Sequence, residues 1–182
     1  MRGMVLADEV LIEAHENYQK QSYRNRCYVL TSNKIDCLTV PVLAGSRRQP
    51  IREVQIDYGQ PWMDRHLRCL QSAYAKSPYF EYLMPEVEHI LHQRLPFLFD
   101  LNWSLLTFCR KWLRINTPIN LTEWYEKTPP IGVFDARSRL DPGRQAEIGL
   151  FGPIPAYQQN FGAEFVPNLS VLDLMFMQTT LS

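Results

Sequence analysis

A change of hydrophobic period near residue 60 constrains the fold of this chain more than any other feature. Before that point, four short runs alternate in polarity or are rich in β-forming residues, at 9–13, 26–31, 37–42 and 53–58. After it, apolar residues recur at the three- and four-residue spacing of helices. The sequence therefore predicts a β-rich first third and a helical middle.

Three helices are predicted in the middle of the chain. The first carries a stripe of apolar residues at helical spacing from Met63 to Tyr74, and Pro85 is expected to open the second as its first residue. The third, over residues 97–112, is apolar on most of its surface, which is typical of a central helix. A fourth helix is predicted after Pro167 and Asn168.

We expect these elements to form a single α+β domain over residues 1–182, a length that suits one core. A mixed β-sheet from the N-terminal third packs against the helical middle, and the C-terminal helix closes the core. A short strand is also expected at residues 131–134, between turns at Pro129-Pro130 and at Asp141-Pro142-Gly143.

Composition excludes several classes of protein. Lys and Arg together number 19, as do Asp and Glu, so the zero formal charge argues against charge-driven binding to nucleic acid or an anionic membrane. The sequence has no apolar run of about 18 residues and no signal-peptide pattern, so we expect a cytoplasmic protein without a membrane span. The four cysteines have no CxxC spacing and are expected to be free thiols: Cys27, Cys37, Cys69 and Cys109.

Residues 15–27 form a polar stretch with no Gly, no Pro and almost no aliphatic residue. Such a run cannot become ordinary core, because every buried polar group needs a partner. One interpretation is a polar site for an anionic ligand, placed between two strands where binding loops are often found. The other is a solvated connection or the outer face of a short helix.

Arg24 and Arg26 stand two residues apart, so a strand would direct both to one face. Two guanidinium groups on one face suit a pyrophosphate or a carboxylate. The alternative is a pair of surface arginines that meet Glu16 or Asp57.

The histidines offer candidates for proton transfer or metal binding. His15 has the chemistry of a general base, although a lone histidine is more often a hydrogen-bonding surface residue. His66 lies at the edge of a buried stripe, where packing against Trp62 is the simpler account. His89 and His92 form an H-x-x-H pattern, but they fall on the expected solvent face and no third ligand is evident, so we expect no metal.

Asp173 falls on the apolar side of its helix and needs a partner there, for which we expect Arg24 or Arg26. Asn168 is expected to cap the same helix. Asn102, within the apolar face of the third helix, is expected to be a hydrogen-bonded core amide. The chain has no Walker loop, no G-x-G-x-x-G and no G-x-S-x-G motif, and we expect no cofactor.

Six ordered motifs stand out in the sequence: His15–Tyr18, Ser22–Arg26, Leu38–Val42, Ile51–Tyr58, Ala73–Phe80 and Pro167–Leu174. On these motifs the chain resembles the WbqC-like protein family of bacteria, from about residue 8 to about residue 177. Family members begin with a strand and a proline-containing apolar loop ahead of the segment that starts at Asp8. The resemblance implies that this N-terminal strand is missing here.

Family members occur in O-antigen and related surface-polysaccharide gene clusters, and a proposed role for some is transfer of glycine to an amino sugar. The resemblance therefore implies an acyl- or aminoacyl-transferase that acts on a nucleotide-linked amino sugar in surface polysaccharide biosynthesis. Since the sequence has no P-loop, the acyl donor must arrive already activated. A non-enzymatic accessory or scaffold protein of a glycan-assembly system is the alternative, and the oligomeric state stays open.

In the enzyme hypothesis the candidate residues have distinct roles. Arg24 and Arg26 hold phosphate, and His15 or Asp57 takes the proton of the amine. Tyr23 or Tyr79 stacks on the base or the sugar. The other candidate substrate-binding residues are Asn17, Asn25, Asn168 and Asp173.

Overall fold

The structure is a computed structural model that describes residues 1–43, 49–137, 139, 151–152 and 155–181. Within these residues the chain forms five α-helices, four strands and a 3-10 turn at Ile51–Glu53. The helices are α1 (Arg2–Val5), α2 (Trp62–Tyr74), α3 (Phe80–His92), α4 (Leu98–Trp112) and α5 (Val171–Met177). The strands are β1 (Val10–Ile12), β2 (Arg26–Leu30), β3 (Ile35–Thr39) and β4 (Ile119–Leu121).

The α+β class is confirmed, and the strands lie in two separate pairs. Strands β2 and β3, which overlap the β-forming runs predicted at residues 26–31 and 37–42, form an antiparallel hairpin in which Arg26 faces Thr39 and Leu30 faces Ile35. Strand β1 pairs in parallel with β4, with Val10 opposite Ile119. Because β4 follows the helical middle, half of the parallel pair comes from outside the first third of the chain.

The strand predicted over residues 53–58 does not form, although buried and exposed residues do alternate there. Val54 and Ile56 are buried and Gln55 between them is exposed. Their backbone groups bond to two different segments: the Ile56 N–H donates to the Pro96 carbonyl (2.9 Å), and the Gln55 carbonyl accepts from Leu43 N–H (2.9 Å). Isolated bridges to both sides therefore replace a continuous ladder.

Helix α4 is central, as predicted. It packs against α3, α5 and the 3-10 turn, with Leu98 and Leu101 almost fully buried. The stripes of α2 and α3 complete the core together with α5, where the rings of Tyr74 and Phe176 stack 4.5 Å apart. Each fully buried Leu or Phe side chain contributes about 1.5–3 kcal/mol relative to an exposed one. This core holds the surrounding loops in place.

Two further predictions need correction. Helix α3 begins at Phe80, so Pro85 lies inside it. Proline has no N–H to donate to the carbonyl of Glu81, four residues earlier, and both residues are exposed to water. No strand forms at residues 131–134, because Ile131 is fully exposed and the segment begins with a turn. The turn predicted at residues 141–143 lies outside the described residues.

Candidate functional site

A cavity of about 140 Å³ lies between the polar stretch and α4. One wall is apolar and includes the aromatic rings of Phe99 and Trp103, and the other carries the charged groups of Glu13, Glu16 and Arg24. The complete lining is Ile12, Glu13, Glu16, Arg24, Ile51, Phe99, Asn102, Trp103 and Leu106. An apolar wall with a few convergent polar groups is the usual lining of a small-molecule site, but such sites typically measure about 300–1,000 Å³, so this cavity can enclose only part of a larger ligand.

Arg24 and Glu16 form a two-pronged ion pair on the polar wall. Arg24 Nε donates to Glu16 Oε1 at 2.6 Å, and Arg24 Nη2 donates to Glu16 Oε2. Their side chains are only 16% and 15% exposed. The Arg24 carbonyl also accepts from Asn102 Nδ2 at 2.7 Å, which fixes the polar stretch onto α4. The interpretation in which an arginine meets Glu16 therefore holds for Arg24.

Glu13 is the second carboxylate of the cavity, and its side chain is only 8% exposed. Its Oε1 accepts from the backbone N–H of His15 (2.8 Å) and from Thr122 Oγ1 (2.9 Å). Its Oε2 accepts from Arg137 Nη1 at 3.3 Å. These three donors stabilise a carboxylate whose burial alone would be costly.

His15 lies between the two cavity carboxylates in sequence; it is exposed and does not itself line the cavity. Its Nε2 lies 3.1 Å from the carbonyl oxygen of Thr122. Because a carbonyl only accepts hydrogen bonds, Nε2 must carry the proton of the neutral ring. Nδ1 is then the basic nitrogen, so His15 has the tautomer that a base acting through Nδ1 requires.

Arg26 does not line the cavity. It lies on β2, half-buried, with its Nε buried and without a partner in the described residues. Burial raises the pKa of Tyr18, and the charges of Arg26 and Arg24 oppose that rise. The two guanidinium groups therefore share Tyr18 as a neighbour, but only Arg24 reaches the cavity.

Three other candidates of the polar stretch lie outside the cavity, one buried and two exposed. Asn25 is buried and donates through Nδ2 to the Val40 carbonyl at 3.1 Å, which ties the stretch to the end of β3. Tyr23 is 45% exposed and meets Tyr28 edge to face. Asn17 is exposed and forms a single bridge with Pro50. None of the three lines the cavity.

Asp57 accepts hydrogen bonds inside its own turn. Its oxygens receive the backbone N–H of Gly59 (2.9 Å) and Nε2 of Gln60 (2.7 Å). Asp57 does not line the cavity, and these contacts favour a role in the turn.

Asp173 has partners other than the predicted arginines. It is 1% exposed and accepts from the hydroxyls of Tyr74 (2.7 Å) and Tyr157 (2.6 Å) and from Nε2 of Gln159 (3.0 Å). The prediction of Arg24 or Arg26 was wrong because the arginines lie on the polar stretch, whereas neutral donors from α2 and the C-terminal loop surround the carboxylate. Burial and the nearby carboxylate raise the pKa of both tyrosines, which stay neutral donors.

Asn168 does not cap α5. The cap is Ser170, whose hydroxyl accepts from Leu172 N–H at 3.3 Å. Asn168 instead has a positive φ of 62°, a left-handed conformation that asparagine tolerates better than most residues. Tyr79 is half-buried and packs edge-on against Trp112, with ring centres 5.9 Å apart.

The other histidines are distant from this cavity. His66 is buried against Trp62, with ring centres 5.1 Å apart, and burial lowers its pKa to about 4. This confirms the packing interpretation. His89 and His92 are exposed, and among the described residues no group of His, Cys, Asp or Glu is arranged to hold a metal ion. All four cysteines are free thiols, as predicted.

Sequence reasoning missed the aromatic residues Phe99 and Trp103, and it also missed Glu13 with its partners Thr122 and Arg137. The contacts that unite Glu13 with these two partners span 109 and 124 residues, so no local spacing indicates them. The only local signal was a carboxylate at the end of an alternating strand.

The fold and the cavity define an α+β protein with a small, partly apolar cavity between the polar stretch and α4. The chain belongs to the WbqC-like protein family, whose model matches residues 1–130 and so includes every residue that lines the cavity. It is also 28% identical over 201 residues to the uncharacterized protein Rv1507c of Mycobacterium tuberculosis, covering 95% of this chain and 85% of the relative. No solved structure matches significantly. Among the described residues, no helix is both long and apolar enough to cross a membrane.

Proposed function

We propose that this protein is an acyl- or aminoacyl-transferase that modifies the amine of a nucleotide-linked amino sugar, using an already activated acyl donor, in surface polysaccharide biosynthesis. The observation that carries the proposal is the pair of carboxylates, Glu13 and Glu16, in one small cavity opposite Phe99 and Trp103. Carboxylates accept hydrogen bonds from an ammonium or from sugar hydroxyls, and aromatic rings suit the apolar face of a sugar.

Arg24 and Arg137 have a positioning role in this proposal. Each is bound to one cavity carboxylate, so that Glu16 and Glu13 are held in fixed orientations. Each carboxylate oxygen has two acceptor positions, so a bound carboxylate can still accept from a ligand. The role of Arg24 thus changes from holding phosphate to orienting Glu16.

His15 is proposed as the general base. An amine attacks only after it loses its proton, and His15 Nδ1 is the nitrogen left to accept one. In the transfer the amine nitrogen bonds to the carbonyl carbon of the donor. The bond from that carbon to its oxygen or sulfur leaving group then breaks, and the amine proton goes to His15.

A second candidate function, an accessory protein of a glycan-assembly system, is favoured by exposed aromatic side chains in the segment that leads to Arg137. Trp124 is 60% exposed, Tyr125 52% and Phe134 56%. Exposed apolar groups that cluster along one segment often mark an interaction surface.

A turnover assay separates these functions. The protein is incubated with UDP-glucosamine and, in turn, acyl thioesters, aminoacyl thioesters and aminoacyl esters, and amide products are detected by mass spectrometry. We expect a product with at least one donor, formed about 100-fold or more slowly by His15→Ala, the usual contribution of a general base. His92→Ala is the matched control, because His92 is exposed on α3 and should leave the rate unchanged.

Two results would count against the proposal. Absence of product with every donor class would favour the accessory function. Product formation at the same rate by His15→Ala would remove the proposed base while leaving transfer itself intact.

A further inference from the structure

We propose that Arg52 is the anion-binding residue of this site and that it takes a phosphate or diphosphate group. The inference deepens the proposed function, on which it rests only for the identity of the sugar attached to that phosphate. It differs from the sequence-based hypothesis, which gave this role to Arg24 and Arg26.

The two other arginines at the cavity, Arg24 and Arg137, are already paired with carboxylates. Arg24 lines the cavity but is bound to both oxygens of Glu16. Arg137 reaches Glu13 and is bound to Asp135 with Nε and Nη2, at 2.9 and 2.7 Å. Both charges are thus balanced by carboxylates, and neither is available for a ligand anion without breaking an existing pair.

Arg52 is next to the cavity in sequence and in space. It belongs to the 3-10 turn at Ile51–Glu53 and directly follows Ile51, which lines the cavity. The N–H of Ile51 donates to the Glu16 carbonyl at 2.9 Å, so the turn is tied to the polar wall. The guanidinium carbon of Arg52 lies 5.5 Å from the centre of the Phe99 ring, which belongs to the apolar wall. Arg52 does not line the cavity itself, but it lies next to it, beside the lining residues Ile51 and Phe99.

The Arg52 guanidinium lies over the face of the Phe99 ring, which attracts its positive charge without forming a conventional hydrogen bond with any of its five N–H donors. Phe99 thereby orients Arg52 without occupying a donor. Among the described residues Arg52 has no ion pair and donates no side-chain hydrogen bond, and it is exposed to solvent.

A planar guanidinium with free N–H donors can bind two phosphate oxygens at once, and this is why arginine is the preferred residue for phosphate recognition. It lies beside a cavity whose carboxylates suit the neutral or amino part of the same ligand. The phosphate of a nucleotide-linked sugar and that of a simple sugar phosphate have this chemistry in common.

The test measures the binding of inorganic pyrophosphate, glucosamine, glucosamine 1-phosphate and UDP-glucosamine by isothermal titration calorimetry. The variants are Arg52→Ala, Arg52→Lys and, as matched control, Arg68→Ala, because Arg68 is an exposed arginine on α2, which does not line the cavity. Arg52 is exposed, so its variants should keep the wild-type melting temperature, and Arg52→Gln replaces the alanine variant if that one is unstable.

We expect Arg52→Ala to bind pyrophosphate about 10- to 100-fold more weakly, the loss typical of a hydrogen bond to a charged group. Arg52→Lys should bind with intermediate strength, because it keeps the charge and loses the fork, and Arg68→Ala should bind as the wild type does. Glucosamine, which has no phosphate, should bind Arg52→Ala and wild type equally. UDP-glucosamine binding tighter than glucosamine 1-phosphate, with the gain lost in Arg52→Ala, would identify the diphosphate as the group recognised.

Other outcomes overturn the inference. The anion site would be refuted if the wild-type protein failed to bind pyrophosphate or if Arg52→Ala bound it as tightly as the wild type. It would also be refuted if Arg68→Ala lost as much pyrophosphate affinity as Arg52→Ala. If pyrophosphate binding depends on Arg52 but glucosamine never binds, the anion site stands and the proposed amine recognition fails. If glucosamine binds and phosphate adds nothing, the proposed function stands and this inference is wrong.

Discussion

Acidification should destabilise the folded protein through His66. The ring is buried against Trp62, and burial lowers its pKa from 6.5 to about 4, with a partial opposing effect from a hydrogen bond with the Thr39 backbone. Between these two pH values the unfolded chain binds a proton at this histidine and the folded chain does not, so stability falls as the pH falls. Below about pH 4 both states are protonated and the loss is complete.

The size of the effect follows from the two pKa values. A pKa of 6.5 in the unfolded chain and about 4 in the folded protein corresponds to about 3 kcal/mol. For a domain whose total stability is about 5–15 kcal/mol, this is a substantial fraction. It is present in full above about pH 6.5.

The assay is urea unfolding followed by tryptophan fluorescence at about pH 7.5 and about pH 4, with wild type and His66→Gln. Glutamine stays neutral at every pH and keeps a polar atom for the Thr39 backbone, so the variant removes titration more than packing. We expect the wild type to lose about 3 kcal/mol more stability than the variant over this interval. Equal losses in the two proteins would refute the reasoning, because other titrating groups contribute equally to both.

Three further predictions concern the core, the cavity and the thiols. Asp173→Ala should destabilise the protein by about 3 kcal/mol or more in urea unfolding, because two buried donors and the half-buried Tyr157 hydroxyl lose their acceptor; a loss below about 1 kcal/mol would contradict this. A double-mutant cycle of Arg24→Ala and Glu16→Ala should give a coupling energy of about 1–3 kcal/mol, since the pair is mostly buried, and a value near zero would mean that the pair is solvated. Cys109, buried with a pKa raised to about 12, should react with Ellman's reagent at about pH 8 only after unfolding, and rapid labelling of the native protein would be contrary to its burial.

The central helix and the hairpin were predictable because local period carries that information. The apolar residues of α4 recur in consecutive turns of one continuous segment, and the two strands of the β2–β3 hairpin are close to each other in sequence. The burial of Val54 and Ile56 was predictable in the same way. Their conformation was not, because it depends on hydrogen bonds to Pro96 and Leu43, which no local pattern indicates.

The site was predictable only in part, for the same reason. The polar stretch suggested the position of the site and the Arg24–Glu16 pair as one of two possibilities. The partners of Glu13 come from beyond the helical middle, through Thr122 and Arg137. Asp173 was predicted to need a partner because burial of a carboxylate requires one, but the identity of that partner depended on how the C-terminal loop returns to α2.

The most direct measurement of the central claim is a comparison of glucosamine with N-acetylglucosamine in calorimetric binding to the wild type and to Glu16→Gln. Acetylation removes the positive charge of the glucosamine amine and adds an acetyl group, so only glucosamine can place an ammonium on a carboxylate, and Glu16→Gln shows whether a preference depends on that charge. The account predicts that glucosamine binds about tenfold or more tightly than its acetylated form, and that Glu16→Gln removes most of the difference. Equal binding of the two sugars, or a preference that survives in Glu16→Gln and in the matching Glu13→Gln, would contradict it.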